Sequence, residues 1–336
     1  MLRFARGRLP KETQRHPISC HASLPPASTT HHQCPPAFRP EAYAPEQEGG
    51  HALLNRPQND TGSYPAEPDN VHLARARHLI AEARRIVVLT GAGVSQESGV
   101  PTFRGAEGLW RRLRPEELAT PQAFARDPRL VWEWYGERRE LVAACRPNAA
   151  HRALARLASS RSGSGAGGPH ATLVTQNVDG LHLAAARALA NGADDAIPTA
   201  ARPIELHGSL FRTRCTGCGE RRESHERVDA SATGTLPHCA RCGQLLRPDV
   251  VWFGEMLDEP TLSAAVAAAG AADVCLVVGT SAVVYPAAAL AQHTIAAGGA
   301  VIEVNPEATP LTAAATVSLR ATATAAIPAL IGHAGD

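Results

Sequence analysis

Four of the eight cysteines are spaced as metal ligands. They form two C-x-x-C pairs, Cys215/Cys218 and Cys239/Cys242, with twenty residues (219–238) between them. Two such pairs let four thiolates converge tetrahedrally around Zn²⁺, and four thiolates leave no coordination position for water. We therefore expect one structural zinc ion. The alternatives are unligated thiols and a redox C-x-x-C, and neither pair opens a helix after a strand as a redox motif does.

A glycine-rich segment, GAGVSQESGVPTFRG (91–105), follows the buried-strand pattern RIVVLT. Gly91 and Gly93 allow a sharp turn and close approach of the backbone to a pyrophosphate at a helix N-terminus. The common dinucleotide fingerprint requires a third glycine where Gln96 stands, so an ordinary strand–helix turn is the alternative. Arg104 suits a phosphate, although a surface ion pair would also explain it.

Polar residues follow four predicted strands where each strand ends. Ligands of doubly wound sheets bind at this carboxyl edge, so we expect these residues to form a binding site. His207 is a candidate base because an unperturbed histidine has a pKa near neutrality. There are two alternatives: Asp179 and Ser281 could simply cap helices, and His207 could have a purely structural role. The strand-end residues are Gln176, Asn177, Asp179, His207, Gly279, Thr280, Ser281 and Asn305.

The segment 129–142, RLVWEWYGERRELV, has the pattern of an amphipathic helix. Tyr135 and Arg138 are three residues apart and so share one helix face. A hydroxyl and a guanidinium on one face can hold a carboxylate. The alternative is an ordinary helix on which Arg138 is solvated or stacked on Trp134.

Short apolar runs alternate with helical patterns from residue 71 onward. This alternation predicts an α/β fold with a doubly wound parallel sheet. Residues 105–146 and 208–249 break the alternation, and we interpret both as insertions that form a smaller second lobe. The segment 162–168, SGSGAGG, is typical of a surface loop.

The charge balance excludes several classes of protein. The 336 residues include 33 basic and 32 acidic ones, so a net charge of +1 gives no reason to expect nucleic acid or a membrane surface as partner. No apolar run is long enough to span a bilayer.

Lys11 is the only lysine in the sequence. Pyridoxal-phosphate enzymes, Walker-A hydrolases and protein kinases are therefore excluded, because each needs a catalytic lysine.

Residues 1–70 hold 11 of the 26 prolines and show no sustained hydrophobic period, which indicates a disordered extension. Their arginine-rich start is compatible with a mitochondrial transit peptide and equally with a dispensable tail. The scattered remaining cysteines favour a reducing compartment. We therefore expect a cytoplasmic protein, or a mitochondrial one if the extension is a transit peptide.

Taken together and in this order, the motifs resemble those of the sirtuins, NAD-dependent protein deacylases. The resemblance covers residues 75 to 335 and rests on the glycine segment, the cysteine quartet, TQNVDGLH, IELHGSL, LLRPDVVWFGE, VVGTSAVVYP and VIEVN. It implies a deacylase domain over 71–335. A Rossmann-type large part (71–104, 147–207 and 250–335) would hold NAD, and 105–146 with 208–249 would form a zinc-binding and helical lobe.

The branch of this family that removes succinyl, malonyl and glutaryl groups is the most similar one, as in mitochondrial and bacterial desuccinylases and demalonylases. Tyr135 and Arg138 match its acidic-acyl motif, and Ala119 matches a small residue that leaves room for a longer acyl chain. The family also implies that His207 is the general base and that nicotinamide and O-acyl-ADP-ribose are products. The acyl-lysine peptide would bind as an added strand along Val251, Trp252, Phe253 and Gly254.

The resemblance also implies the NAD contacts. They fall on Gly91, Ala92, Gly93, Ser95, Phe103, Arg104, Trp110, Gln176, Asn177, Asp179, Gly279, Thr280, Ser281, Asn305 and Ala323. Gln96 stands where the family has a small residue, and RATATAAIP replaces a segment that usually contains glycine. We expect a monomer. The alternatives are a deacetylase with little acidic-acyl preference, a mono-ADP-ribosyltransferase, and a zinc-ribbon binding module.

Overall fold

A computed structural model describes residues 69–100, 115–161, 170–192 and 197–332. The expected extension lies outside these ranges except for Asp69 and Asn70, which cap and begin the first helix. The expected loop over 162–168 also lies outside them. Within the described ranges, no helix combines the length and the hydrophobicity needed to cross a bilayer.

The described strands and helices follow one another in the predicted alternation. The strands are β1 (Arg85–Thr90), β2 (His170–Thr175), β3 (Ile204–Glu205), β4 (Gly208–Cys215), β5 (Arg221–Glu223), β6 (Leu246–Val250), β7 (Val274–Val278), β8 (Ala300–Val304) and β9 (Val317–Leu319). The helices are α1 (Asn70–Glu82), α2 (Pro115–Leu118), α3 (Pro121–Arg126), α4 (Pro128–Ala144), α5 (Ala149–Ser160), α6 (Leu181–Leu189), α7 (Glu259–Gly270), α8 (Leu290–Ala296) and α9 (Ala323–Ile331).

Six strands pair in parallel in the order β3-β2-β1-β7-β8-β9. The predicted doubly wound parallel sheet is therefore confirmed. The chain moves outward from β1 through β2 to β3 and then returns to the other side of β1 as β7. The carboxyl ends of β1 and β7 form the switch point, where open α/β sheets bind their ligands.

Helices cover both faces of this sheet because its strands are apolar on both faces. Along β1, Ile86 and Val88 point into one core, which α1, α5 and α9 complete. Val87 and Leu89 point into the opposite core, which includes residues of α7 and α8. This alternation is the two-residue period of a strand buried on both sides.

A second, antiparallel sheet has the order β5-β4-β6 and packs with α3 and α4. Its core includes Trp132, Leu210 and Trp252. The indole N–H of Trp132 donates to the carbonyl oxygen of Leu246 at 3.0 Å, which ties α4 to β6. These elements form the smaller lobe, and our sequence analysis predicted the lobe without predicting its antiparallel pairing.

Arginine–carboxylate pairs join this sheet to the segment that follows β6. Asp249 accepts from Arg212 at 2.5 Å and from Arg221 at 3.3 Å. Arg247 donates to both carboxylate oxygens of Glu255, at 2.6 and 2.8 Å. Both Asp249 and Arg247 are buried. Because these charges are partly desolvated and paired with good geometry, we infer that they fix the register of β4, β5 and β6.

Candidate active site

The glycine turn after β1 packs directly on the end of β7. The N–H of Gly93 donates to the carbonyl oxygen of Gly279 at 2.8 Å. A methyl group on Gly93 would lie 2.8 Å from the Cα of Gly279, closer than real side chains come. Gly279 itself has a φ of +59°. The two glycines are therefore required for the approach of two backbones, and this approach builds the switch point.

Two short 3₁₀ turns, Ala92–Val94 and Gln96–Ser98, follow β1 where we expected the start of a longer helix. The side chain of Gln96 is exposed. At the other end of the turn, Glu97 accepts hydrogen bonds from the N–H and the hydroxyl of Thr324 in α9. The start of α9, where Ala323 is buried, therefore contacts the glycine turn.

Polar side chains at the strand ends meet as predicted. The amide of Gln176 donates to the hydroxyl of Thr280 at 3.1 Å, and that of Asn305 donates to the carbonyl of Thr280 at 2.8 Å. Asn177 donates to the carbonyl of Gly91 at 3.1 Å. The ends of β1, β2, β7 and β8 thus form one continuous polar rim.

Ser95 is the centre of a buried hydrogen-bond cluster at this rim. Its hydroxyl donates to Asp179 at 2.7 Å and accepts from the amide of Asn177 at 3.2 Å. Burial raises the pKa of Asp179, and hydrogen bonds from Leu181 and Ser95 offset part of this shift. The cluster therefore presents a carboxyl and a carboxamide, the two groups that can hold the amide of a nicotinamide ring.

Two further histidines belong to this cluster, and our sequence analysis assigned neither of them. Nε2 of His151 lies 3.3 Å from the hydroxyl of Ser95, and Nε2 of His182 lies 2.9 Å from that of Thr90. His182 ends the motif TQNVDGLH. Its position within this polar motif was the only local signal, because its hydrogen bond joins it to Thr90, 92 residues earlier in the chain.

His207 has the protonation pattern of a base. Its Nδ1 lies 2.9 Å from the carbonyl oxygen of Gln176. A carbonyl only accepts, so Nδ1 carries the proton and Nε2 keeps its lone pair. Burial lowers the pKa of His207, and the hydrogen bond to Gln176 offsets part of that shift. The ring is therefore neutral near pH 7 and able to take up a proton.

The expected acyl-binding residues line one buried region of the smaller lobe. Ala119, Tyr135 and Trp252 belong to a single apolar cluster. The guanidinium carbon of Arg138 lies 4.9 Å from the centre of the Trp134 ring, so the stacked arrangement that we considered as an alternative is present. Burial lowers the pKa of Arg138 to about 10, which leaves it charged at neutral pH, and the neighbouring Tyr135 offsets part of the shift.

The backbone after β6 contacts both lobes. The N–H of Val251 donates to the carbonyl of His207 at 3.0 Å, and the N–H of Phe253 donates to that of Ala119 at 2.9 Å. The N–H of Trp252 donates to Glu255 at 2.9 Å. These N–H groups are already used within the chain. Binding of a peptide as an added strand along this segment remains a prediction.

The four cysteines come together as predicted. Their Sγ atoms all lie within 4.8 Å of one another, and Cys215 to Cys242 and Cys218 to Cys239 measure 3.3 and 3.7 Å. Four thiolates on a tetrahedral Zn²⁺ are separated by about 3.8 Å, so the donor set fits a structural zinc. β4 begins beside His207 and ends at Cys215, and an eight-residue strand spans roughly 25 Å, so this zinc lies far from the rim.

Several expected NAD contacts are not placed by these observations. Phe103, Arg104 and Trp110 lie outside the described residues. Ser281 follows Thr280 at the rim and is half-buried. Its role remains a prediction.

Comparison with known proteins agrees with this geometry. Residues 91–286 match the Sir2 family. The chain is 49% identical over 254 residues to the NAD-dependent protein deacylase 1 of Archaeoglobus fulgidus, covering 76% of this chain and 94% of that protein. A Sir2 homologue–NAD complex superposes with a TM-score of 0.66 at 47% identity, covering 77% of this chain and 92% of that one.

A second structure, a Sir2 variant with a deacetylated p53 peptide and 3′-O-acetyl ADP ribose, superposes with a TM-score of 0.63 at 30% identity. It covers 77% of this chain and 97% of that one. The family match, the identity over most of the relatives' length and the shared fold agree. The chain therefore belongs to the Sir2 family of NAD-dependent protein deacylases.

Proposed function

We propose that this protein removes acidic acyl groups, namely succinyl, malonyl and glutaryl groups, from protein lysines and consumes NAD in doing so. The observation that supports the acidic preference is the placement of Tyr135 and Arg138 on one face of α4. Tyr135 belongs to the apolar cluster that also contains Ala119, and the half-buried Arg138 packs on Trp134 of the same cluster. A buried phenol and a charged guanidinium suit a terminal carboxylate, whereas an acetyl group offers none. Ala119 adds little side-chain volume, which favours longer acyl chains.

NAD would be held along the polar rim, by the glycine turn and by Asn177, Asp179, Thr280 and Asn305. The group it supplies is a ribose whose bond to nicotinamide can be broken in favour of the acyl oxygen. The buried carboxyl of Asp179 and the carboxamide of Asn177 would orient the nicotinamide amide. Because both groups are fixed by hydrogen bonds to Ser95, they need little reorganisation when NAD binds.

His207 would supply the base. Nε2 takes a proton from a ribose hydroxyl, while Nδ1–H stays bonded to the carbonyl of Gln176 and holds the ring in position. That hydroxyl oxygen would then receive the acyl group, and addition of one water would release the amine, so that the products would be free lysine, nicotinamide and O-acyl-ADP-ribose. The zinc site takes no part in this chemistry and supports the lobe that carries the acyl-binding residues.

A panel of otherwise identical peptides that carry acetyl-, succinyl-, malonyl- or glutaryl-lysine tests this proposal directly. Each is incubated with the protein and NAD, and products are identified by mass spectrometry. We expect O-acyl-ADP-ribose from every peptide and a higher kcat/KM for the three acidic ones. A higher kcat/KM for acetyl-lysine would contradict the acidic preference. Transfer of ADP-ribose onto protein, without O-acyl-ADP-ribose, would instead support a mono-ADP-ribosyltransferase.

A further inference from the structure

The hydroxyl of Tyr135 is bonded to an indole. Nε1 of Trp252 lies 2.8 Å from the phenolic oxygen, and each of the two residues is only 2% exposed. An indole N–H only donates, so this bond uses a lone pair of the phenolic oxygen and leaves its proton for another acceptor. Since Trp252 follows β6 and Tyr135 belongs to α4, the bond joins two distant parts of the chain.

Trp252 is itself fixed by ionic and aromatic contacts. The guanidinium carbon of Arg247 lies 3.3 Å from the centre of its indole ring. Arg247 is held by Glu255, whose carboxylate also accepts from the backbone N–H of Trp252 at 2.9 Å. Phe124 packs beside the ring, with centroids 5.4 Å apart. The direction of the indole N–H is therefore set by its surroundings.

Tyr135 is in the right state to donate. Burial raises its pKa to about 12, against the opposing effects of Arg138 and of the bond from Trp252. The phenol therefore keeps its proton at neutral pH. With one lone pair occupied by the indole, rotation of the O–H is restricted, so the proton is directed away from Trp252.

We propose that Trp252 is a positioning residue for acyl selectivity, whose indole N–H orients the hydroxyl of Tyr135 so that it donates to the terminal carboxylate of an acidic acyl group. This inference rests on the acidic preference proposed above. It assigns Trp252 a side-chain role distinct from that of its backbone in the peptide-binding edge. Tyr135 contacts the carboxylate, and Trp252 acts only through Tyr135.

The W252F variant tests this role, because phenylalanine keeps an aromatic ring beside Arg247 and Phe124 while it removes the N–H donor together with part of the ring volume. We expect the ratio of kcat/KM for succinyl-lysine to that for acetyl-lysine to fall by about three- to tenfold, the effect of one hydrogen bond. The change should appear mainly in KM for the succinyl peptide, because the carboxylate is remote from the reacting bond and is held equally throughout the reaction.

The W132F variant is the matched control. It also removes an indole N–H bond, to Leu246, in the same lobe and on the same helix as Tyr135. It should lower the stability of the fold and keep the wild-type ratio of kcat/KM for succinyl-lysine to that for acetyl-lysine. A double-mutant cycle completes the design: in a Y135F background, W252F should change the ratio by less than about twofold, because the hydroxyl that it orients is gone.

An NMR measurement on the unmutated protein is independent of the stability of any variant. The indole ¹H–¹⁵N signal of Trp252, one of four tryptophans, should shift more with a succinyl-lysine peptide than with an acetyl-lysine peptide, and Y135F should remove the difference. If W252F keeps the wild-type ratio while the wild-type protein prefers succinyl-lysine, the positioning role alone is wrong. If the wild-type protein shows no acidic preference, both proposals are wrong.

Discussion

The imidazole rings of His151 and His182 pack against each other behind the polar rim, with centroids 4.7 Å apart. Both rings are buried. Burial lowers the pKa of His151 to about 4, with a further contribution from Arg152. Burial also lowers the pKa of His182 well below its ordinary value, and the neighbouring His151 adds to that shift. Both rings are therefore neutral in the folded protein at neutral pH.

This histidine pair should make the free energy of unfolding decrease as the pH is lowered. In the unfolded chain both histidines titrate near their ordinary pKa of about 6.5, so below that pH the unfolded state binds more protons. The free energy of unfolding should fall as the pH drops from 6.5 toward about 4, the folded-state pKa of His151, and should be insensitive to these groups above 7. The slope is on the order of 1.4 kcal/mol per pH unit for each group.

Urea unfolding at pH 7.5 and at pH 5 measures this dependence. His151→Gln should flatten it, because the variant removes one of the two groups that must charge on unfolding. His293→Gln, at an exposed position, serves as the control and should keep the wild-type dependence. Equal flattening by both variants would show that the buried pair is not the source.

Replacement of the base should lower turnover strongly and keep the fold. We expect His207→Tyr to lower kcat by about 10²–10⁴-fold, the usual contribution of a general base. Because the pKa of His207 is lowered, wild-type activity should decline only as the pH falls below about 6.5, where the ring begins to charge. Pre-steady-state kinetics, with the melting temperature as a check on folding, would measure both effects. Near-normal turnover in the variant would remove His207 from the mechanism.

Removal of the guanidinium should affect acidic acyl groups selectively. We expect Arg138→Met to lower kcat/KM for succinyl-lysine by about 10- to 100-fold, the effect of losing a charge-assisted contact. The loss for acetyl-lysine should be much smaller. Arg139→Met is the control, because Arg139 instead donates to Ser224 in the smaller lobe. Equal losses on both peptides would show that Arg138 does not contact the acyl carboxylate.

The cysteine quartet predicts one tightly held zinc per chain. We expect elemental analysis to find one zinc ion, and chelation to lower the melting temperature together with activity, since metal binding contributes folding free energy. Cys239→Ser should have the same effect. Cys145 lies outside the quartet, so the Cys145→Ser variant should retain the metal. Full activity after complete zinc removal would contradict a structural role.

The large sheet could be predicted from the sequence because each strand carries a local signal. Runs such as IVVL in β1 and VCLVV in β7 are wholly apolar and rich in valine, which is typical of a parallel strand buried on both faces. The family, NAD and the structural zinc were predicted from short motifs whose members are close in sequence, and these predictions are confirmed.

The features that were missed depend on contacts between distant parts of the chain. Tyr135 and Trp252 are 117 residues apart, and the pairing of β4 with β6 joins segments separated by the cysteine pairs. No local pattern specifies such contacts, because they form only when segments that are distant in the sequence pack into one core. The packing of His151 on His182, from two different helices, has the same origin.

The ion pairs around Asp249 and Glu255 have a consequence for an enzyme that works on modified amines. Their cationic members are all arginines: Arg212, Arg214, Arg221 and Arg247. Reactive thioesters acylate the ε-amino group of lysine and neutralise its charge, whereas a guanidinium stays protonated and resists this reaction. The contacts that fix the second sheet therefore cannot be lost by acylation of an amine. Residues 69 to 332 contain no lysine, so none of them could become a substrate of the protein itself.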